Sequence, residues 1–141
     1  MKTDKKDVPE AFKLHELRVA CGKLPNAEAT LGISESGGPP RTATAQGDGP
    51  ISAAFAAFQA LVPFRVELDE LQVHSATPGQ DAVGEVTVRV RVNGVTFTGR
   101  GASPDIIVGA VRALLLAVNK AASARVLEAR QLEKASYLWG V

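Results

Sequence analysis

The sequence predicts an α+β domain of two pseudo-symmetric βββα units, with antiparallel sheets and with helices packed at a homodimer interface. Three observations predict it. The first is an internal repeat. Leu14-His15-Glu16-Leu17-Arg18-Val19 matches Leu68-Asp69-Glu70-Leu71-Gln72-Val73, 54 positions on. Gly47-Asp48-Gly49 matches Gly99-Arg100-Gly101 at an offset of 52, and Ala57-Phe58-Gln59-Ala60-Leu61 matches Ala110-Val111-Arg112-Ala113-Leu114 at 53. Three matches in the same order, drifting as loop insertions would make them, mark two units at 12–62 and 64–118. The second observation is a hairpin of alternating valines. The third is a pair of helices with almost no polar face.

The second unit is the clearer. Phe64-Arg65-Val66-Glu67-Leu68 and Leu71-Gln72-Val73 alternate, so 64–75 reads as a strand with a bulge near Asp69. Thr77-Pro78-Gly79-Gln80 is a turn. Val86, Val88, Val90 and Val92 alternate with Thr87, Arg89 and Arg91, the pattern of a half-buried strand. Asn93-Gly94 supplies the two positive φ values of a type I′ turn, which puts Val92, Val95 and Phe97 on one side. Gly99 to Ser103 breaks the alternation. Ser103 then stands as helix N-cap with Pro104 at the first helical position. The helix runs through Ile106, Ala110, Ala113, Leu114, Ala117 and Val118, and the tail from Asn119 to Trp139 extends it. The first unit repeats this order: strands near 13–20, 27–34 and 41–46, a loop at Gly37-Gly38-Pro39-Pro40, then Gly47-Asp48-Gly49-Pro50 and a helix to Leu61. Residues 1–11 form a polar tail, 12–121 a single domain, and 122–141 a helical tail.

The two helices raise the question of what covers them. Ile51 to Val62 has only Ser52 and Gln59 as polar residues, and Ile106 to Val118 only Arg112. A helix apolar all round is buried all round. Either the two helices cover each other, or a second copy of the chain completes the core as an obligate homodimer.

Composition excludes several classes of function. The chain has 141 residues, enough for one core and too few for two. Net charge is +1, so no basic footprint for nucleic acid or an anionic membrane exists. The most apolar stretch, Ile106 to Val118, falls short of the roughly 20 residues a bilayer needs. No apolar signal segment opens the chain, and a cytoplasmic location is expected. The one cysteine, Cys21, excludes an intramolecular disulfide and reads as a structural thiol. His15 and His74 read as surface or satisfied histidines and cannot alone close a zinc site. Glu16 and Glu70 repeat because the unit repeats. No catalytic constellation and no cofactor or metal site is expected. Tyr137-Leu138-Trp139 is either a docking end or a frayed one. Aromatic residues make up only 5%, whereas alanine and glycine abound, so backbones must pack closely.

The candidate site lies at the Gly-x-Gly segments, each read as a turn from strand into helix. Glycine lets a ligand approach the amides, and the first-turn N–H groups with the helix dipole favour an anion. At Gly47-Asp48-Gly49-Pro50 a carboxylate could meet these amides while Asp48 pairs with an ammonium. That combination, with apolar neighbours, describes a free aliphatic amino acid. A tight turn without a ligand is the plainer alternative. Ser52 stands where a dinucleotide fingerprint has its third glycine, which excludes that motif.

Five segments together carry a resemblance. Phe12-Lys13-Leu14, Ala45-Gln46-Gly47-Asp48-Gly49-Pro50, Asp81-Ala82-Val83-Gly84-Glu85-Val86, Gly99-Arg100-Gly101-Ala102-Ser103-Pro104-Asp105-Ile106-Ile107 and Ala117-Val118-Asn119-Lys120 resemble, in that order, the C-terminal regulatory domain of 2-isopropylmalate synthases and citramalate synthases. The resemblance implies paired βββα units that dimerise, and feedback inhibition by leucine or isoleucine bound at the dimer interface. It implies that Gly47, Asp48, Gly49, Pro50 and Ser52 line the amino-acid end. It implies likewise that Leu68, Leu71, Ser75 and Ala82 line the side-chain end. The family often carries an aromatic residue at the Leu71 position, and alanine or aspartate at Ser52. Its catalytic TIM barrel, with a His-x-His metal motif, has no counterpart in these 141 residues. The expected role is therefore regulatory, acting on an attached or partner barrel. A purely structural dimerisation module is the alternative.

Overall fold

The computed structural model describes residues 10–21, 26–75 and 83–124. The element order is β1 (Phe12–Cys21), β2 (Ala27–Glu35), β3 (Arg41–Gly47), α1 (Pro50–Leu61), β4 (Val66–Ser75), β5 (Gly84–Val92), β6 (Val95–Ser103) and α2 (Ile106–Ser123). The expected βββα unit therefore occurs twice. β1-β2-β3 and β4-β5-β6 form two separate antiparallel sheets, each with its own helix on one face. The turn expected at Thr77–Gln80 and the tail beyond Ala124 lie outside the described residues.

Each sheet buries one face because its central strand alternates. Ala27, Ala29, Leu31 and Ile33 of β2 point inward, as do Val86, Val88, Val90 and Val92 of β5, and all are buried. The first strand of each sheet carries a bulge at the same repeat position. Pairing skips His15 between Leu14 and Glu16, and Asp69 between Leu68 and Glu70. The bulge turns Asp69 and Glu70 toward β5, where Arg91 meets Glu67 and Asp69 at 3.5 and 3.0 Å and Arg89 meets Glu70 at 2.6 Å. Asn93 (φ 51°) and Gly94 (φ 83°) make the expected hairpin turn.

The register corrects two of the three sequence matches. Leu14 and Leu68 are true counterparts, 54 positions apart, and their partners Ile33 and Val90 are 57 apart. Gly47 ends β3 opposite Ala27, whereas Ser103 ends β6 opposite Gly84. The counterpart of Gly47 is thus Ser103, and Gly99 and Gly101 correspond to Ala43 and Ala45. The helices agree. Ala53, Ala54, Ala57, Phe58 and Leu61 are buried in α1, and Gly109, Ala110, Ala113, Leu114 and Ala117 occupy the same positions in α2, 56 residues on.

Gly99-Arg100-Gly101 is therefore no turn. It lies inside β6, which runs on to Ser103. Alternation fails there in sequence because the inward side chains are missing, and the helix backbone fills their place. A Cβ at Gly99 would stand 2.0 Å from the carbonyl oxygen of Ala113, and one at Gly101 would stand 2.2 Å from that of Gly109. Gly47 has the same tight contact with α1, 2.6 Å from the Ala53 nitrogen.

The helix starts also differ. Gly49 is the N-cap of α1 with Pro50 first. In α2 the cap is Asp105, not Ser103: its carboxylate accepts from the amides of Ile107 at 2.8 Å and Val108 at 3.4 Å. The Ser103 hydroxyl instead accepts from the Asp105 amide, turning the chain one step earlier. At Leu61 the α1 carbonyl accepts from Arg41 at 2.6 Å. α2 extends past Val118 to Ser123, and is long and apolar enough to cross a membrane by length and composition, yet over half of it is buried in the fold.

Two side-chain amides join the units. The Asn119 side chain of α2 is buried and pairs with both backbone groups of Phe12: its Oδ1 accepts from the amide at 2.7 Å and its Nδ2 donates to the carbonyl at 3.1 Å. Gln59 of α1 does the same for the start of β4, accepting from the Val66 amide at 2.9 Å and donating to the Phe64 carbonyl at 2.6 Å. Phe12 also meets Phe58 and Phe64 edge-on, with ring centroids about 6 Å apart. α2 consequently lies between its own sheet and β1, so much of its second cover comes from the same chain. α1 receives no comparable cover from β4.

Lys120, in the last turn of α2, donates to the Thr98 carbonyl at 2.6 Å. Burial, helped by the Arg100 charge, lowers its pKa from the usual 10.5.

Three outcomes follow from these contacts. Gly99→Ala forces the helix off the sheet and costs about 1–3 kcal/mol or more, whereas Gly49→Ala, with open space around it, costs under about 1 kcal/mol; urea unfolding measures both. Asn119→Ala leaves the Phe12 amide and carbonyl unpaired, at about 1–3 kcal/mol for each group, read from the same curves. The unfolded state holds the Lys120 proton to higher pH than the folded state, so this group's contribution to stability rises between its lowered pKa and 10.5. Lys120→Met should remove that rise from a stability–pH profile.

Candidate functional site

The site follows from what α1 leaves uncovered. Its buried positions face β2 and β3, and its outer side presents Ser52, Ala56 and Ala60 to solvent, with Ile51 and Phe55 half-buried. Val66, Leu68, Leu71 and Val73 of β4 stand opposite the buried valines of β5 and share their inward face. No helix among the described residues lies over them fully: Leu68 is 48% exposed and Val73 43%. Between the two elements runs a groove of about 230 Å³. Phe55, Ala56, Phe58 and Gln59 form one wall, Val66, Leu68 and Val90 the other, and Leu114 contributes from α2. None of these residues is charged. The groove suits a branched aliphatic side chain or an apolar helix face.

The polar end lies at the start of α1. Gly47 closes β3 against the α1 backbone, and Gly49 is extended at φ −157°. No side chain caps this helix end, and Pro50 has no N–H. The amides of Ile51 and Ser52 thus point outward with no acceptor among the described residues. Space around Gly49 is open, with nothing within 4 Å of where a Cβ would stand. The exposed Asp48 carboxylate sits one residue before it. The turn therefore offers amide donors and a carboxylate side by side, the complement of a zwitterion.

The residues singled out from the sequence fall into three groups. Gly47, Asp48, Gly49, Pro50 and Ser52 are contiguous at the β3–α1 junction. Leu68 lines the groove, and Leu71 continues its face of β4, half-buried. Ser75 ends β4 opposite Gly84, and Ala82 lies outside the described residues. Sequence reasoning missed Phe55, Gln59 and Val66 as groove residues. Their signal was available: Phe55 and Gln59 are one turn apart on a helix too apolar for a single sheet. Cys21 is exposed at the end of β1, not packed as a structural thiol. His15 reaches the Ser34 hydroxyl at 2.8 Å, and His74 is exposed beside Gln72. Among the described residues no group of three His, Cys, Asp or Glu side chains could hold a metal ion.

A duplicated βββα module with an open apolar groove and an uncapped helix start leaves surface free for a partner or a ligand. Comparison with known proteins makes this specific. Residues 1–122 match the model of the LeuA allosteric (dimerisation) domain, and the chain belongs to that family. It is 43% identical over 113 residues to the 2-isopropylmalate synthase of Gloeobacter violaceus and 46% identical over 112 residues to that of Synechocystis sp.. These alignments cover 80% and 79% of this chain but 21% of each relative, so the chain spans about a fifth of their length.

Proposed function

We propose that this domain binds leucine, or a close branched-chain relative, and transmits feedback inhibition to the catalytic part of a 2-isopropylmalate synthase, the enzyme named by its relatives. The observation that carries the reading is the pairing of an uncapped α1 start with an apolar groove along the same helix. The carboxylate of the amino acid would accept from the Ile51 and Ser52 amides, and Asp48 would pair with its ammonium. The alkyl side chain would rest on the β4 face at Leu68 and Leu71, with Ser75 and Ala82 further along the chain.

A second copy completes this site. The outer face of α1 and the exposed Leu68 and Val73 make an apolar surface that a homodimer would bury. Leucine bound at such an interface contacts both copies. It therefore favours whichever relative orientation of the two fits it best. An attached barrel, held by the dimer, would respond to that shift. The domain itself supplies no catalytic group to this scheme.

Calorimetry with leucine, isoleucine and valine, alongside sedimentation, tests the reading. We expect a dimer that binds one of the three, with Asp48→Ala weakening binding about tenfold through loss of the ammonium partner. Leu68→Asp should shift the dimer toward monomer. A stable dimer whose melting temperature ignores all three at millimolar concentration would instead mark a structural module.

A further inference from the structure

The duplication produces a second groove, and its chemistry has diverged from the first. A cleft of about 410 Å³ opens between β1, β6 and α2. It is the counterpart of the α1–β4 groove: Phe12 and Leu14 stand where Val66 and Leu68 do, and Arg112 and Leu115 where Ala56 and Gln59 do. The first groove has no charged lining. This one has Lys13 from β1, Arg100 from β6 and Arg112 from α2, offset only by Glu10. Its floor remains apolar, formed by Leu14, Leu115 and Leu116.

The arginines here are distinguished by what they lack. Arg18, Arg41, Arg65, Arg89 and Arg91 each meet a carboxylate. Among the described residues Arg100 and Arg112 meet none. Arg112 only donates to the Ala102 carbonyl, at 3.4 Å. Arg112 thus reaches β6 at Ala102, two residues from Arg100, and both arginines line the same cleft as Leu115 and Leu116.

We propose that this cleft binds a small dicarboxylate carrying a short branched alkyl group. Each guanidinium fork takes one carboxylate, Lys13 adds to the field, and the alkyl group lies on Leu115 and Leu116. The volume falls in the range of small-molecule sites, roughly 300–1,000 Å³. A zwitterionic amino acid has no net charge to match this lining, so the site is distinct from the one at α1 and does not rest on it.

The test uses this chain with 2-isopropylmalate as probe, and succinate and inorganic phosphate as comparators, by calorimetry and amide NMR at low salt. We expect saturable binding with a Kd below about 1 mM. Amide shifts should centre on Gly101, Ala102 and Leu116, with smaller ones at Asp48 and Gly49, and succinate should bind more weakly. The R100Q/R112Q double variant should weaken binding at least about tenfold with unchanged circular dichroism. R100K/R112K, which keeps the charge and loses the forks, should fall between. The proposal is overturned by no binding at about 10 mM probe, by affinity unchanged in the double variants, by phosphate or succinate binding as tightly as the alkylated probe, or by competition with leucine. Leucine binding by itself, present or absent, bears only on the α1 site.

Discussion

The close approach of helix backbone to sheet backbone is the constraint on which the rest of the structure depends. α2 lies so near β6 that no side chain fits at Gly99 or Gly101, and α1 presses on Gly47 in the same way. Such contact leaves room only for small residues on the facing surfaces: Ala53, Ala54 and Ala57 in α1, and Gly109, Ala110 and Ala113 in α2. The low aromatic content of the chain follows. Three of its phenylalanines, Phe12, Phe58 and Phe64, meet at the joint between the units. Because a helix held this close is fixed in register, the positions of its outer residues, and hence the walls of both grooves, are fixed with it.

Pseudo-symmetry is incomplete, and the departures set the two grooves apart. Each unit offers an amide side chain to the first strand of the other, Asn119 to Phe12 and Gln59 to Val66. The first of these draws β1 against α2. The second holds only the entry to β4 and leaves Leu68 and Val73 in contact with water. One groove thus stays apolar and open to a second copy or an aliphatic ligand. Its counterpart carries Arg100 and Arg112 and is cationic. A duplicated scaffold can diverge in this way cheaply, because Arg100 and Arg112 are exposed and do not enter the packed helix–sheet contacts.

Much of the fold was legible in the sequence, for reasons particular residues show. The alternating valines of β5 and the Asn93-Gly94 turn specify a hairpin locally. The repeated Leu-x-Glu-Leu-x-Val segment carried the bulge with it, since an extra residue at His15 and at Asp69 is a property of the strand itself. The Gly-x-Gly match misled. Gly47-Asp48-Gly49 is a junction and Gly99-Arg100-Gly101 is the middle of a strand, yet both need glycine. At Gly47, Gly99 and Gly101 alike, helix backbone occupies the space of a side chain, whereas the space around Gly49 is open. Sequence shows that glycine is present; it does not show which glycines a helix presses on. Ser103 failed as a cap for a similar reason, because Asp105 two residues later reaches the helix amides with better geometry.

The sequence by itself determined the βββα order, its duplication, the inward faces of β2 and β5, and the excess of apolar surface on both helices. These are local properties, set by side-chain period and turn chemistry. Only the tertiary structure decided the true register between the halves, the covering of α2 by β1, and the opening beside α1. Those depend on contacts between residues as distant as Phe12 and Asn119, 107 positions apart. No local pattern encodes such a pairing, because its stability comes from burying two backbone groups that the strand alone leaves unpaired.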